Sequence, residues 1–235
     1  MLLPMVALSC SPGAGPSGTT SDGPTAPVPS AVPSTRPAPA GSAAAALATL
    51  PVKGRAPLTG YSRRLFGPAW SDDATNVPDA HNGCDTRNDI LNRDLTDETW
   101  RSGTGDCVVI SGTLHDPYTG RVITFAKAHA TAVQIDHVVA LADAWQKGAQ
   151  SWSATLRLSF ANDPLELLAV DGPTNQRKGD ADAATWLPPN KSYRCTYVAR
   201  QVSVKVKYHL WVTAAERAAM QRVLSGCPAQ PLVIE

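Results

Sequence analysis

The chain has 235 residues, 43% of them apolar and 17% charged, enough for one globular domain with a sizeable core plus extra segments. Its net charge of +1 excludes a polycationic nucleic-acid binder held by bulk charge and leaves room for a local basic cleft.

Residues 1–10, MLLPMVALSC, are short and apolar and lack the basic start of a full secretory signal, so they read as the tail of an export signal whose start lies upstream. Ala7-Leu8-Ser9-Cys10 loosely matches a bacterial lipoprotein box, in which Cys10 is lipidated and anchors the protein to a membrane. An ordinary signal peptide with an incidental cysteine is the other reading, and either one places the protein outside the cytoplasm. Residues 11–58 are Pro, Ala, Ser, Gly and Thr with hardly a charge, a composition that buries too little apolar surface to offset ordering entropy. A disordered linker is expected there, with Ala43 to Leu50 at most a transient, uncapped helical turn. The globular domain is expected over 59–235.

With Cys10 set aside, Cys84, Cys107, Cys195 and Cys227 remain, and an even number in an exported protein favours disulfides. Four cysteines allow three pairings. Cys84–Cys107 with Cys195–Cys227 is preferred because each joins near neighbours in one flank of the core, and the absence of C-x-x-C spacing speaks against a zinc site. Asp89 to Trp100 reads as a short helix. Cys107–Ile110 and Arg121–Phe125 read as strands joined through the turn-rich Asp116-Pro117-Tyr118-Thr119-Gly120. His81, His115 and His129 have no partners at ligand spacing and read as surface or structural residues.

Val133, Ile135, Val138 and Val139 are β-branched and predict a strand, on which Asp136 and His137 must point to opposite faces. Ala140–Lys147 and Ser153–Phe160 are helical in pattern, and a second apolar run, Leu165–Val170, leads into the turn Asp171-Gly172-Pro173. Thr174 is placed as N-cap of a short helix carrying Asn175, Arg177 and Lys178, and a helix start is a natural phosphate site. Asp180–Trp186 is expected to continue helically up to Pro188-Pro189. Tyr193–Tyr208 reads as a helix whose Arg194, Arg200, Lys205 and Lys207 form either a basic wall or, preferably, a solvated face. Thr213-Ala214-Ala215-Glu216 is a capping box opening a last helix that ends at Gly226.

Two places carry chemistry. Asp136 and the Asn175 amide oxygen are the kind of half-empty oxygen site that suits Mg²⁺, which takes the rest of its shell from water and phosphate. Each residue also has a plainer reading: a structural Asp-His pair, a helix-start Asn175, a solvated Lys178.

The ordered combination D-H-V-V-A-L (136–141), N-D-P-L-x-L-L-A-V-D-G (162–172) and N-Q-R-K-G-D (175–180), with G-C-D-T-R-N-D-I-L (83–91) upstream, resembles the HNH nucleases. Within them it is similar to the secreted actinobacterial type whose domain also ends the GmrSD restriction enzymes, and the resemblance runs from about Tyr61 to Cys227. It implies Asp136 as metal ligand, His137 as general base, and Asn175, where many relatives have the final His, as second metal ligand. The middle Asn of the HNH name, which braces the loop around the base, falls at Glu166 here, a longer and charged side chain.

The expected protein is therefore α+β, a ββα-metal core with a helical insertion and flanking helices, supported by disulfides. The resemblance implies an extracellular endonuclease of low sequence specificity that hydrolyses phosphodiester bonds, of DNA in preference to RNA. Mg²⁺ is the expected metal, with Mn²⁺ or Zn²⁺ as alternatives, and Lys178, Arg177 and Arg87 are candidate phosphate binders; a structural salt bridge is the other reading of Arg87. The reading from another class is a non-catalytic cell-surface module on a degenerate scaffold.

Overall fold

Order begins well before Thr59. The computed structural model describes residues 39–235; the segment 1–10 with Cys10, and the linker to residue 38, lie outside the described residues. Within the expected linker, Ala43–Thr49 is a helix, α1, closed at its start by the Ser42 side chain accepting from the Ala45 N–H. Ala-rich sequence has the strongest helix propensity, but seven residues are too few to hold a helix alone. Burial of Ala43, Leu47 and Leu50 in the main core supplies the rest, at roughly 1.5–3 kcal/mol for a side chain such as Leu47. The missing cap was Ser42, and the linker expectation fails from there onward.

The helix expected over Asp89–Trp100 is two elements. Helix α2, Thr86–Asp94, is capped by Asp85, and the chain then extends as β1, Leu95–Trp100. β1 pairs antiparallel with β2, Val109–His115, which pairs antiparallel with β3, Val122–Ala126. The turn between β2 and β3 is the expected one. Asp116 closes it by accepting from the Tyr118 and Thr119 N–H groups, and reaches across to the Asp171 N–H at 3.0 Å.

A separate two-stranded antiparallel sheet is formed by β4, Val133–His137, and β5, Leu167–Asp171, with Asp136 opposite Leu168 and His137 opposite Leu167. Between them the chain makes helices α3, Leu141–Gln146, and α4, Ala154–Ala161, and after β5 it enters α5, Gly172–Lys178. The cap of α5 is Asp171, not Thr174: its carboxylate accepts from the Thr174 N–H at 2.9 Å. Gly172 is required where α5 begins, since a Cβ there would lie 2.0 Å from the Thr131 carbonyl oxygen. This close approach seats α5 against the entry to β4.

The alternation of β4 and β5 places the sheet between two cores. Val133, Ile135, Leu167 and Ala169 join Ile90, Leu91, Val109 and Phe125 on one side, while Leu168 and Val170 face the helical core on the other. Helices α6, Arg194–Lys207, and α7, Ala214–Ser225, complete that core, and Thr213 and Glu216 make the expected capping box. Residues 180–186 form turns rather than a helix, with the Asp182 carboxylate accepting from the Ala184 N–H.

The solvated face expected on α6 is there only in part: Lys207 is exposed and Arg194 partly so, but the other two basic residues are buried. Lys205 is fully buried, and Arg200 is nearly so, donating to the carbonyls of Pro164, Leu165 and Leu167. Lys205 joins Lys147, Asp143, Asp182 and Glu216 in a buried charge cluster in which Lys147 Nζ lies 2.6 Å from both Asp143 and Glu216. Lys205 and Glu216 meet at 3.0 Å as an ion pair without hydrogen-bond alignment. Both disulfides have the expected pairing, Cys84–Cys107 and Cys195–Cys227.

Candidate functional site

Asp136 and His137 are the last residues of β4, and the period-2 pleat sends their side chains to opposite faces. A cleft of about 470 Å³ passes over this strand end and is lined by both, by Asn175 from α5, by Gln134 of β4, and by Tyr61, Arg63, Trp70, Arg87 and Asp180. Chain segments more than a hundred residues apart thus meet around two adjacent side chains.

Asp136 is 5% exposed, and each of its oxygens accepts one hydrogen bond: Oδ1 from Lys178 Nζ at 2.8 Å, Oδ2 from the Tyr118 hydroxyl at 2.5 Å. Burial raises its pKa from the ordinary carboxylate value, while Lys178 and the hydrogen bonds pull it back. Tyr118, fully buried, is pushed well up, by burial first and by Asp136 second, so it stays protonated and donates. Lys178 also donates to the His137 carbonyl at 2.7 Å, tying α5 to the end of β4.

His137 Nε2 lies 3.1 Å from the Ala161 carbonyl. Burial, reinforced by the positive charge of Arg63, lowers its pKa to about 3, so the ring is neutral at pH 7. A neutral imidazole that donates Nε2–H to a carbonyl keeps its lone pair on Nδ1. The indole of Trp70 stacks on the ring at 6.1 Å between centroids.

Glu166 is fully buried at the turn into β5. Its carboxylate accepts from the Val139 N–H at 3.1 and 3.2 Å, and its own carbonyl accepts from the Val138 N–H at 2.9 Å. The residues after His137 are thereby held from two sides. Burial pushes the Glu166 pKa well above its ordinary value, with Lys178 the largest opposing influence.

Among the expected phosphate binders, Arg87 lines the cleft, steadied by the Val133 carbonyl at 3.4 Å and by the Phe125 ring at 5.7 Å rather than by a salt bridge; burial lowers its pKa. Two others are not in the cleft. Lys178 lies beneath it with its ammonium committed to Asp136, and Arg177 is turned outward, donating to Thr174 Oγ1 at 2.7 Å. The residues that sequence reasoning missed are Tyr118, Trp70, Arg63 and Gln134. Only Tyr118 left a signal, as an aromatic in an otherwise polar turn.

Asn175 Nδ2 donates to Gln134 Oε1 at 3.0 Å, which fixes the amide by its nitrogen end. At the expected metal position the oxygen donors are the Asp136 carboxylate and the Asn175 amide, with the Asp180 carboxylate also lining the cleft. Among the described residues no three or more His, Cys, Asp or Glu side chains gather in metal-holding geometry. That donor set fits a hard cation completing its shell with water and phosphate, as Mg²⁺ does, better than zinc, which draws three or four protein ligands. Lys178 opposes any such cation from the other side of the same carboxylate.

A protein of the fungus Arthroderma benhamiae described as an uncharacterized secreted protein is 40% identical over 190 residues, covering 80% of this chain and 86% of the relative. The relative is fungal, so an actinobacterial origin gains no support from it. No solved structure matches. Residues 85–223, which include the cleft residues from Arg87 to Asp180 and end within α7, match the family described as GmrSD restriction endonucleases, C-terminal domain. Since that match takes in more than half of the sequence, the chain belongs to the GmrSD C-terminal domain family.

Proposed function

We propose that the cleft over β4 hydrolyses phosphodiester bonds in nucleic acid and that β4, β5 and α5 are a ββα element of the HNH type. The observation that carries this reading is the state of His137: a neutral imidazole held by Nε2, with Nδ1 as its free base, in a cleft it shares with Asp136, Asn175 and two arginines. The family's name, which refers to restriction endonucleases, supports it, and the secreted fungal relative and the two disulfides support action outside the cell.

In this mechanism His137 Nδ1 takes a proton from water, and the water oxygen attacks phosphorus in line with the 3′ oxygen. The phosphorus–3′ oxygen bond breaks with its electron pair going to the 3′ oxygen, which takes a proton from solvent water while His137 returns its own to solvent, leaving a 5′ phosphate on one product and a 3′ hydroxyl on the other. Arg87 and Arg63 hold the phosphate. Asp136 and Asn175 would hold a divalent cation, Mg²⁺ by the donor set, which would supply stabilisation of the developing negative charge. Glu166 braces the loop after the base, in the place of the family's Asn.

A second reading, a non-catalytic module exposed at the cell surface, draws on the Asp136 carboxylate being already engaged by Lys178 and Tyr118. Cleavage of single- and double-stranded DNA and of RNA, with Mg²⁺ and with chelator, separates the two. His137→Ala should lower the rate about 10²–10⁴-fold with Mg²⁺ affinity unchanged, whereas Asp136→Ala should lower both. A His137→Ala protein that cleaves at the wild-type rate overturns the mechanism.

A further inference from the structure

Beside the cleft lies a second pocket of about 450 Å³ whose apolar walls the proposed hydrolysis leaves unused. The two share Arg63, Trp70, His137 and Leu141, so they are adjoining spaces on either side of the Trp70–His137 stack. Their linings differ in character. The second pocket is walled by Phe66, Pro68, Trp70 and Leu141, with Arg63 and Arg64 as its charged members. The ion pairs that arginines make among the described residues use Arg55, Arg93 and Arg200, which leaves both guanidiniums available.

The backbone of Trp70 points the same way. Its φ is +59°, in the left-handed region that a bulky aromatic residue rarely adopts and that costs free energy unless the surroundings enforce it. They do so here: the Thr86 N–H donates to the Trp70 carbonyl at 3.3 Å, and the Thr86 hydroxyl donates to the Ser71 carbonyl at 3.0 Å. The start of α2 therefore clamps the Trp70 segment in an unfavourable conformation that sets a half-buried indole between the two pockets. An apolar space with an aromatic wall and free guanidiniums, adjoining a phosphodiester-hydrolysing cleft, has the chemistry of a site for a flat heterocycle flanked by phosphates.

We propose that this pocket is a nucleobase subsite: a base next to the scissile phosphate packs against Trp70, while Arg64 contacts the flanking phosphate and Arg63, shared by the two spaces, stays on the scissile one. A paired base cannot leave its stack without added cost, so single-stranded nucleic acid, or a strand locally unpaired, is the substrate class. The inference rests on the reading of the cleft given above.

The test uses the disulfide-intact protein in chelator, with fluorescence anisotropy of a labelled short oligothymidylate and of an abasic strand of the same length. Wild type should bind the base-bearing strand tighter by roughly 5- to 150-fold, the value of one base–aromatic stack. Trp70→Ala should abolish that difference, and Trp70→Phe should keep most of it. Equal wild-type affinity for the two strands overturns the subsite whatever the variants do, as does a Trp70→Ala loss of the same size on both. Cleavage of the oligothymidylate with Mg²⁺ is followed in parallel. Cleavage without base preference overturns the subsite alone, whereas base preference without cleavage supports the subsite and overturns the nuclease reading.

Discussion

Replacing Lys178 by Met probes the centre of the site with little change of side-chain length or volume. The ammonium makes two charge-assisted hydrogen bonds, to Asp136 Oδ1 at 2.8 Å and to the His137 carbonyl at 2.7 Å, in a fully buried position. Each is worth about 1.5–3 kcal/mol, and removing one partner of a buried ion pair typically costs about 3–5 kcal/mol because the other charge is left behind. For a domain of this size that is a fall in melting temperature of about 6–20 °C at pH 7. The loss should depend on pH in a definite direction. Burial raises the Asp136 pKa in the folded state, so its contribution to stability is full below the unfolded pKa and is lost as pH rises through the folded one. Without Lys178 to hold that pKa down the loss deepens, and the gap between variant and wild type should be small at acid pH and widen toward neutral. Asp136→Asn in the same chain should recover much of the gap, since no uncompensated charge remains. Mg²⁺ should raise the melting temperature of Lys178→Met more than that of wild type, because the competing cation is gone. Thermal melts followed by circular dichroism across pH, with and without Mg²⁺, measure all of this. A variant that melts with wild type at pH 7, or a gap that does not vary with pH, refutes the account of the pair.

Glu166→Ala should strip the buried Val139 N–H of its acceptor, at about 1–3 kcal/mol, and lower turnover by loosening the chain beside His137, whereas Glu166→Gln keeps an acceptor and should retain activity. An Ala variant as active as wild type would remove any bracing role. The two disulfides close loops with sequence separations of 23 and 32, so each should contribute about 3–4 kcal/mol by restricting the unfolded chain. Reduction should lower the melting temperature accordingly, and four reactive thiols in denatured, unreduced protein would contradict both bridges.

What was legible in the sequence was local. The strand at Val133, the turn at Asp116, the capping box at Thr213 and the pairing of near-neighbour cysteines each follow from residues within a few positions, or a few tens of positions, of one another. The misreadings have a common cause, tertiary contact overriding local pattern. Ala43–Thr49 looked uncommitted because the core that receives Leu47 comes from α6 and α7, some 150 residues later. Leu95–Trp100 carries a helix-compatible Leu-Thr-Asp-Glu-Thr-Trp, but pairing with β2 draws it out as a strand. Arg200 and Lys205 look like surface charges in the sequence, and only the carbonyls of Pro164, Leu165 and Leu167 and the carboxylates of Asp143 and Glu216 account for their burial. The same holds in the site. Asp136, His137 and Asn175 line one cleft because a single hairpin and the helix after it carry all three, and the family resemblance pointed to them, whereas Trp70 and Tyr118 reach the strand from segments with no periodic relation to it.

The chemistry proposed for His137 depends on its surroundings as much as on the ring itself. A base must stay neutral and immobile, and each condition has its own structural source. Neutrality follows from burial under Trp70 and beside Arg63, both from the segment before α2, and immobility follows from Ala161 at the end of α4 and from the Glu166 and Lys178 contacts to residues 137–139. Asp136 faces the opposite problem, because a buried carboxylate is costly unless paired, and Lys178 and Tyr118 do the pairing. Lys178 is thus common to both residues: one ammonium neutralises the carboxylate and ties down the carbonyl of the base. A cation bound at Asp136 would then weaken the hold of Lys178 on that carboxylate and leave its bond to the His137 carbonyl in place, so that the base stays positioned while the charge on Asp136 is shared.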